Sequence, residues 1–141
     1  MKTLLIYDRQ PIIRLGLKLL VEQHYPLANV HEIRSVKELS VFGAPGDVSV
    51  ILFGLDPECE RVNPRIFKRI KEKFSKSALV LYADNIHHFQ VLSYFRQGIT
   101  AYVAKRAGEE ELLSCLLYVM DNKRYISSRV RDLLINDLNE R

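Results

Sequence analysis

The segment Val50-Ile51-Leu52-Phe53-Gly54-Leu55 is an almost continuous run of apolar residues. A run of this kind predicts a short strand that is buried on both faces and ends in a loop. Strand and helix signals alternate five times along the chain, and short turns join them. This alternation predicts a doubly wound α/β layer in which helices connect parallel strands.

The predicted strands span residues 3–7, 29–34, 48–53, 78–82 and 100–104. The predicted helices span residues 11–24, 35–42, 64–74, 86–97 and 109–121, with Ser35 as an N-cap and Gly98 at a helix end. We expect one face of the first helix to be buried, through Ile13, Gly16, Leu17, Leu20 and Val21. Functional groups should then collect at the carboxyl ends of the strands.

Residues 122–127 predict a turn, and a sixth helix follows with Val130, Leu133, Leu134 and Leu138 on one face. We therefore expect a flavodoxin-like domain at residues 1–125, with five parallel strands in the order 2-1-3-4-5. The extra C-terminal helix, at residues 126–141, is expected to pack on this domain, to join a partner or to lead to a further domain.

The composition is that of one ordinary domain of 141 residues, with 48% hydrophobic and 27% charged residues and a net charge of +4. No apolar run is long enough to span a bilayer and no secretory leader is visible, so we expect a cytoplasmic protein. Cys59 and Cys115 lack metal or redox spacing and are expected to be reduced, passive thiols. The adjacent His87 and His88 point to different helix faces and predict no metal site.

Several short patterns occur in order along the chain. They are Leu4-Leu5-Ile6-Tyr7-Asp8-Arg9-Gln10-Pro11 followed by Arg14, Gly16 and Leu17; Val91-Leu92 with Arg96, Gly98, Tyr102 and Lys105; Glu110-Glu111-Leu112-Leu113; and Arg124-Tyr125-Ile126-Ser127. Together, at these separations, they resemble the receiver domain of two-component response regulators, in the NarL/FixJ (LuxR-type) branch. The resemblance runs from Lys2 to about Leu134.

The resemblance implies a phosphorylation site in which carboxylates hold Mg²⁺, an aspartate accepts the phosphoryl group, and a lysine and a small hydroxyl bind its oxygens. Asp8 and Lys105 match that pattern. Arg9 replaces the second acid, Gly54 the acceptor, and Tyr82 the hydroxyl. Glycine has no side chain to phosphorylate, and an arginine repels a divalent cation. The resemblance therefore predicts a vestigial phosphorylation pocket without catalytic residues, with Mg²⁺ binding lost, no metal or cofactor and no enzyme activity.

Without the acceptor, Lys105 is expected to pair with Asp8, as an ordinary structural ion pair, or with Asp56. Gly54 equally suits a close approach of the backbone to a neighbouring group. Asp56 is an alternative phosphoacceptor that would use Mg²⁺, although Pro57 restricts its backbone. A third alternative is a small-anion sensor, because Arg9 and Lys105 would attract an anion to the vacated pocket.

The resemblance implies a receiver-like signalling domain of a transcription regulator, acting by protein–protein contact and independently of phosphorylation. We expect switch or interface residues on the fourth helix, the fifth strand and the fifth helix, with exposed apolar area at Tyr94, Tyr102, Leu117 and Tyr118. The first and fifth helices are the alternative surface for a homodimer. DNA would be bound only through a C-terminal domain absent from this chain, and no membrane partner is expected.

Overall fold

The computed structural model describes residues 2–56, 63 and 65–140, and for residues 129 and 140 the backbone alone. Cys59, Pro57 and the predicted helix start at Pro64 lie outside this part of the chain. The strands are β1 (Thr3–Tyr7), β2 (Asn29–Ile33), β3 (Val48–Leu55), β4 (Ala78–Ala83), β5 (Ala101–Val103) and β6 (Tyr125–Ile126). The α-helices are α1 (Pro11–His24), α2 (Val36–Ser40), α3 (Arg65–Lys73), α4 (His88–Gln97), α5 (Glu109–Met120) and α6 (Ser128–Glu140).

All strands pair in parallel, in the order β2-β1-β3-β4-β5-β6. The first five strands lie in the predicted order, but the prediction of five strands is wrong, because β6 adds a sixth at the edge. The Tyr125 amide donates to the Thr100 carbonyl at 3.3 Å and the Ser127 amide donates to the Tyr102 carbonyl at 3.0 Å. A two-residue strand is too short for alternation to reveal, so the sequence predicts only a turn there.

Alternation along the central strands separates two apolar cores, one on each face of the sheet. Toward α1 and α5 the strands present Leu4, Ile6, Val50, Leu52, Val80, Ala101 and Val103. Toward α2, α3, α4 and α6 they present Leu5, Tyr7, Ile51, Phe53, Leu79, Leu81 and Tyr102. A covered sheet of this kind leaves the carboxyl ends of the strands as the place where polar side chains can gather.

The buried face of α1 differs from the predicted stripe. Leu17 and Val21 are buried as expected, but Gly16 is exposed and Arg14 is buried with 8% of its surface exposed. The Arg14 guanidinium donates to the Asp8 carbonyl at 2.7 Å. Hydrophobic periodicity does not signal this position, because the partner of the arginine is a backbone oxygen at the end of β1.

Local capping signals are confirmed at two helices. The Ser35 hydroxyl accepts a hydrogen bond from the Glu38 amide at 3.1 Å at the start of α2. Gly98 ends α4 with φ of 120°, a conformation that favours glycine.

The helix α6 packs on α4. Val130 is buried in the core beneath α4 and Leu134 packs against the same core, while Leu133 and Leu138 are exposed, so the predicted four-residue face is only partly buried. His88 on α4 also pairs with Asp137 on α6. Among the described residues, no helix has both the length and the apolar character needed to cross a bilayer.

Candidate functional site

The register of the sheet brings the predicted pocket residues together. Tyr7 pairs with Phe53 and Gly54 pairs with Tyr82, so Asp8, one residue beyond β1, lies beside Gly54. Because side chains alternate, position 54 faces the α1 and α5 side of the sheet, as Val50 and Leu52 do. β5 ends at Val103, and Lys105 follows in a short 3₁₀ turn at the same edge.

The carboxylate of Asp8 occupies the space into which a side chain at position 54 would project. A Cβ atom on Gly54 would lie 2.0 Å from Asp8 Oδ2 and 2.8 Å from Asp8 Cγ. Both distances are far shorter than any van der Waals contact, and Asp8 is only 2% exposed. Gly54 therefore permits a close approach by a neighbouring carboxylate.

Both oxygens of the Asp8 carboxylate are engaged within the chain. Oδ2 accepts from Lys105 Nζ at 2.9 Å, and Oδ1 accepts from the Gln10 amide at 2.8 Å. The pair is shielded from solvent, since the Lys105 side chain is 16% exposed. The expected ion pair between Asp8 and Lys105 is therefore present.

Arg14 supports the same corner from α1. Its Nη1 binds the Asp8 carbonyl, and its Nε lies 3.5 Å from Glu32 Oε1 on β2. The charge of this buried guanidinium is thus partly balanced by Glu32. The sequence alone assigns Arg14 no role in the site. A basic residue in the first turn of a helix that follows a strand-end aspartate is nevertheless placed where it can make this contact.

Tyr82 lies beside Lys105, whose Nζ is 5.8 Å from the centre of the ring, within the range of a cation–π contact. Burial raises the pKa of the Tyr82 phenol, and the nearby charges of Asp84 and Asp8 add to that effect. The space beside Gly54 is filled by Asp8, while Tyr82 remains half-buried at its edge.

A magnesium ion does not fit the described residues at this edge of the sheet. Mg²⁺ needs several oxygen ligands in octahedral geometry, and both oxygens of Asp8 already accept hydrogen bonds from within the chain. Within residues 2–56, 63 and 65–140, no three His, Cys, Asp or Glu side chains gather in an arrangement that could hold a metal ion.

No protein-family model and no curated protein sequence matches this chain. Solved structures do match its fold. A LuxR-family two-component response regulator from an Aurantimonas species aligns with a TM-score of 0.82 and 16% identity, over 96% of this chain and 96% of that one. The isolated REC domain of RcsB from Salmonella enterica serovar Typhimurium, solved with the phosphomimetic BeF₃⁻, aligns with a TM-score of 0.79 and 19% identity, over 94% and 97%. RcsB solved as two dimers bound to two parallel DNAs aligns with a TM-score of 0.79 and 20% identity, over 94% and 66%.

The fold is that of a receiver domain. At these identities the likeness concerns the fold alone, so the chemistry of the site is argued from this chain's own residues. In this receiver fold the strand-end pocket is filled by a carboxylate from the chain itself.

Two of the four predicted interface residues are buried in this receiver fold, which corrects the expectation that they expose apolar area. Tyr102 is 2% exposed and its hydroxyl donates to the Ala83 carbonyl at 3.0 Å. Tyr94 is 7% exposed and its ring meets that of Phe67 edge to face at 5.0 Å. The physical reason is that α4, α6 and β5 contribute to one apolar core, and the side chains of both tyrosines lie in that core. Leu117 and Tyr118 are exposed as predicted, at 64% and 47%.

Arg9 follows β1 and Asp56 follows β3, both at the carboxyl edge of the sheet. Asp56 follows the last residue of β3 and is half-buried. Arg9 lines a cavity between α2 and α3, on the other face of the sheet from Gly54. Lys105 is not among the described residues that line that cavity. The space beside Gly54, where the sequence predicts an anion site, is filled by the Asp8 carboxylate.

Proposed function

We propose that this chain is the receiver-like signalling domain of a LuxR-type response regulator, and that it signals by protein contact without phosphorylation. The supporting observation is the Asp8 carboxylate, which lies where the side chain of residue 54 would be and is held there by Lys105 and the Gln10 amide. Phosphoryl transfer depends on a positioned acceptor and on charge stabilisation. Here the position equivalent to the acceptor has no side chain, and the lysine is already paired.

The same observation argues against enzyme activity and against a cofactor at this edge of the sheet. Any metal or phosphoryl group would first have to displace the Lys105 ammonium or the Gln10 amide from the shielded Asp8 carboxylate. A small anion beside Gly54 would meet the Asp8 carboxylate and be repelled by it. We therefore propose a domain whose strand-end site is structural.

The partner surface that the structure favours is formed by α1 and α5, on the same face of the sheet. On α1, Ile12 and Leu19 are 74% and 58% exposed and Leu15 is 45% exposed. Gly16 lies in the same stripe with open space around it, and α5 adds Leu117 and Tyr118. Exposed apolar residues clustered on one face are typical of a protein interface.

The occupant that we propose for this surface is a second copy of the chain. RcsB, whose receiver aligns with this one, has been solved as dimers bound to DNA. By analogy, this domain would pair two copies of a transcription regulator whose DNA-binding part lies outside this chain, in the cytoplasm. The other surface predicted from the sequence, on α4, β5 and α5, is disfavoured because α6 packs on α4.

The phosphorylation claim is tested by incubation with acetyl phosphate and Mg²⁺ followed by intact-mass measurement. We expect no phosphoryl adduct on the native chain. The competing function is a Mg²⁺-dependent phosphoacceptor that uses Asp56. An adduct that forms on the native chain and disappears in Asp56→Asn would establish that function and refute ours.

A further inference from the structure

The outward face of α3 carries basic side chains that have no part in the function proposed above. The exposed residues of this helix are Arg65, Lys68, Arg69 and Glu72, so three of the four are cations. They recur at intervals of three or four and therefore share one side of the helix. Lys76 is exposed in the turn that follows. The four cations together form what we call the α3 basic surface.

These four cations are not neutralised by the described part of the chain. None of them forms an ion pair with a described residue, and none of their side chains donates a hydrogen bond to one. Glu72 lies among them but is likewise outside the ion pairs of the described residues. Lys71 and Lys73 are different, because their ammonium groups are bound to backbone carbonyls. We therefore leave both out of the surface.

The α3 basic surface has no exposed apolar side chain beside it. Phe67 and Ile70 are buried in the core, and Ile66 packs against it. Among the described residues, no large exposed apolar side chain lies on α3 or in the turn at residues 74–77. The centre of a protein interface is built on apolar and aromatic residues, and a helix that lies on a membrane needs an apolar face. Phosphate groups, in contrast, are bound through charge and hydrogen bonds alone.

The spacing of the cations suits a row of phosphates. Arg65 and Arg69 are separated by about 6 Å along the helix axis, at 1.5 Å per residue. Each strand of duplex DNA carries one phosphate for about every 3.4 Å of its axis. Long basic side chains at this spacing can therefore contact successive phosphates, and the guanidinium groups can bind phosphate oxygens in pairs.

The position of α3 keeps this surface separate from the proposed dimer contact. α3 packs on one face of the sheet, whereas α1 and α5 pack on the other. A dimer that forms through α1 and α5 would thus leave the α3 basic surface open in both copies.

We propose that the α3 basic surface binds the phosphate backbone of duplex DNA without sequence preference. This contact adds to the DNA binding of the part that lies outside this chain, and the choice of DNA over RNA rests on the function proposed above. The supporting observation is a group of four exposed, unpaired cations with no apolar side chain among them. An acidic protein segment is the competing partner.

The test is fluorescence anisotropy of the chain with labelled DNA duplexes of about 20 base pairs, in two unrelated sequences. We expect equal affinities for both sequences, with a Kd of about 10⁻⁴ to 10⁻⁶ M. Between about 50 and 200 mM salt, log K should fall against log salt with a slope of about −3.6, which is about −0.9 for each of four phosphates. Poly-glutamate of matched charge and an RNA duplex of the same length are the comparison ligands, and both should bind more weakly.

Arg69→Gln and Arg124→Gln each remove an exposed arginine, the first on α3 and the second in the turn before β6. Arg69→Gln should weaken DNA binding about tenfold at about 50 mM salt and make the slope shallower by about 0.9, because one phosphate contact is lost. Arg124→Gln lies outside the surface and should leave both quantities nearly unchanged. Glu72→Gln should tighten binding, because it removes an acid beside the phosphates, whereas Glu110→Gln on α5 should have no effect.

Four outcomes would overturn the proposal. They are the absence of DNA binding at about 50 mM salt, a clear preference for one of the two DNA sequences, equal effects of Arg69→Gln and Arg124→Gln, and binding of poly-glutamate or RNA at least as tight as that of DNA. Tight binding of poly-glutamate would identify an acidic protein segment as the partner. The tests of phosphorylation and self-association do not depend on any of these outcomes, so a failure here is distinguishable from a failure of the proposed function.

Discussion

Gly54 is the residue on which the site depends, because the Asp8 carboxylate lies where any larger side chain would project. The contact connects two features that the sequence presents separately, namely a glycine at position 54 near the end of β3 and a lysine just after β5. Lys105 keeps a carboxylate partner through Asp8. The charge of the Asp8 carboxylate is therefore balanced within the chain.

Gly54→Ala should destabilise the domain, because its Cβ would meet Asp8 Oδ2 at 2.0 Å. Forcing extra volume into a packed site costs about 1–3 kcal/mol of unfolding free energy, measurable by urea denaturation. The control is Gly43→Ala, where a Cβ meets nothing within 4 Å. That variant should stay within about 0.5 kcal/mol of the native chain. Equal stabilities for the two variants would show that Asp8 does not occupy this space.

Asp8→Asn should leave the shielded Lys105 ammonium without its charge partner. Breaking a buried ion pair by removing one member lowers the unfolding free energy by about 3 kcal/mol or more. The control is Asp121→Asn, because Asp121 pairs with Lys123 at the surface with both side chains more than 60% exposed. A surface pair contributes less than about 1 kcal/mol. Replacing both partners, in Asp8→Asn with Lys105→Met, should recover part of the loss, and a further loss of stability would contradict the pairing.

At this scale the sequence predicts the ion pair between Asp8 and Lys105 and allows a close approach at Gly54. It does not predict that the carboxylate of the ion pair is also the group that approaches Gly54, because that contact depends on the relative register of β1 and β3. It also leaves out Arg14 and Gln10, which hold Asp8 through a side-chain bond to a backbone carbonyl and a backbone amide. Contacts that involve the backbone leave no pattern in residue types.

Among the secondary-structure elements, those with long apolar patterns are predicted well and the short ones are not. β1, β3 and β4 follow from continuous apolar runs, and Ser35 and Gly98 mark helix ends by their own chemistry. β6 is missed because two residues cannot show a period. The prediction for the buried face of α1 is wrong at Gly16, which is exposed. The buried face includes Arg14 instead, and hydrophobic periodicity does not predict a buried arginine.

The packing of α6 on α4 predicts a contrast between two of its apolar residues. Val130 is 6% exposed in the core beneath α4, whereas Leu138 is 71% exposed. Val130→Ala should lower the unfolding free energy by about 1–2 kcal/mol, since buried methyl groups are lost. Leu138→Ala should change it by less than about 0.5 kcal/mol. If urea denaturation gave the two variants the same stability, α6 would not be docked.

Tyr125 on β6 predicts a loss of stability at high pH. Burial, a hydrogen bond to Glu111 and nearby negative charge raise the pKa of its phenol from 10.0 to about 12. Because the pKa of Tyr125 is raised in the folded state, the stabilisation that its protonated phenol contributes is complete below pH 10 and is lost as the pH rises through about 12. Tyr125→Phe should therefore flatten the fall in unfolding free energy across that range, relative to the native chain. An unchanged slope in urea denaturation would contradict the burial of this phenol.

For the whole molecule, the doubly wound layer follows from the alternation of strand and helix signals, whereas the order of the first five strands follows from the flavodoxin-like fold to which the sequence is assigned. Which surfaces remain open does not follow, because that depends on where α6 packs. The sequence places Tyr94 and Tyr102 on an interface, and the structure buries both. Among the described residues, α1 and α5 expose apolar side chains on the same side of the sheet.

The α1 and α5 face predicts self-association. Ile12→Glu and Leu117→Glu, at positions 74% and 64% exposed, should each shift the chain toward monomer in sedimentation velocity experiments, because a charge would be buried in the contact. Leu138→Glu changes an equally exposed leucine on α6 and should leave association unchanged. A native chain that is monomeric at the highest attainable concentration would exclude this surface as a homodimer contact.

The central claim, that the strand-end site is closed by the chain's own carboxylate, is tested most directly by NMR during titration with Mg²⁺ and beryllofluoride. The amides of Asp8, Gly54 and Lys105 report on the site itself. We predict no saturable shift of these amides, because the Asp8 oxygens are already bound to Lys105 and Gln10. Saturable shifts confined to these residues, dependent on both Mg²⁺ and beryllofluoride, would show an open phosphoacceptor site and contradict the account.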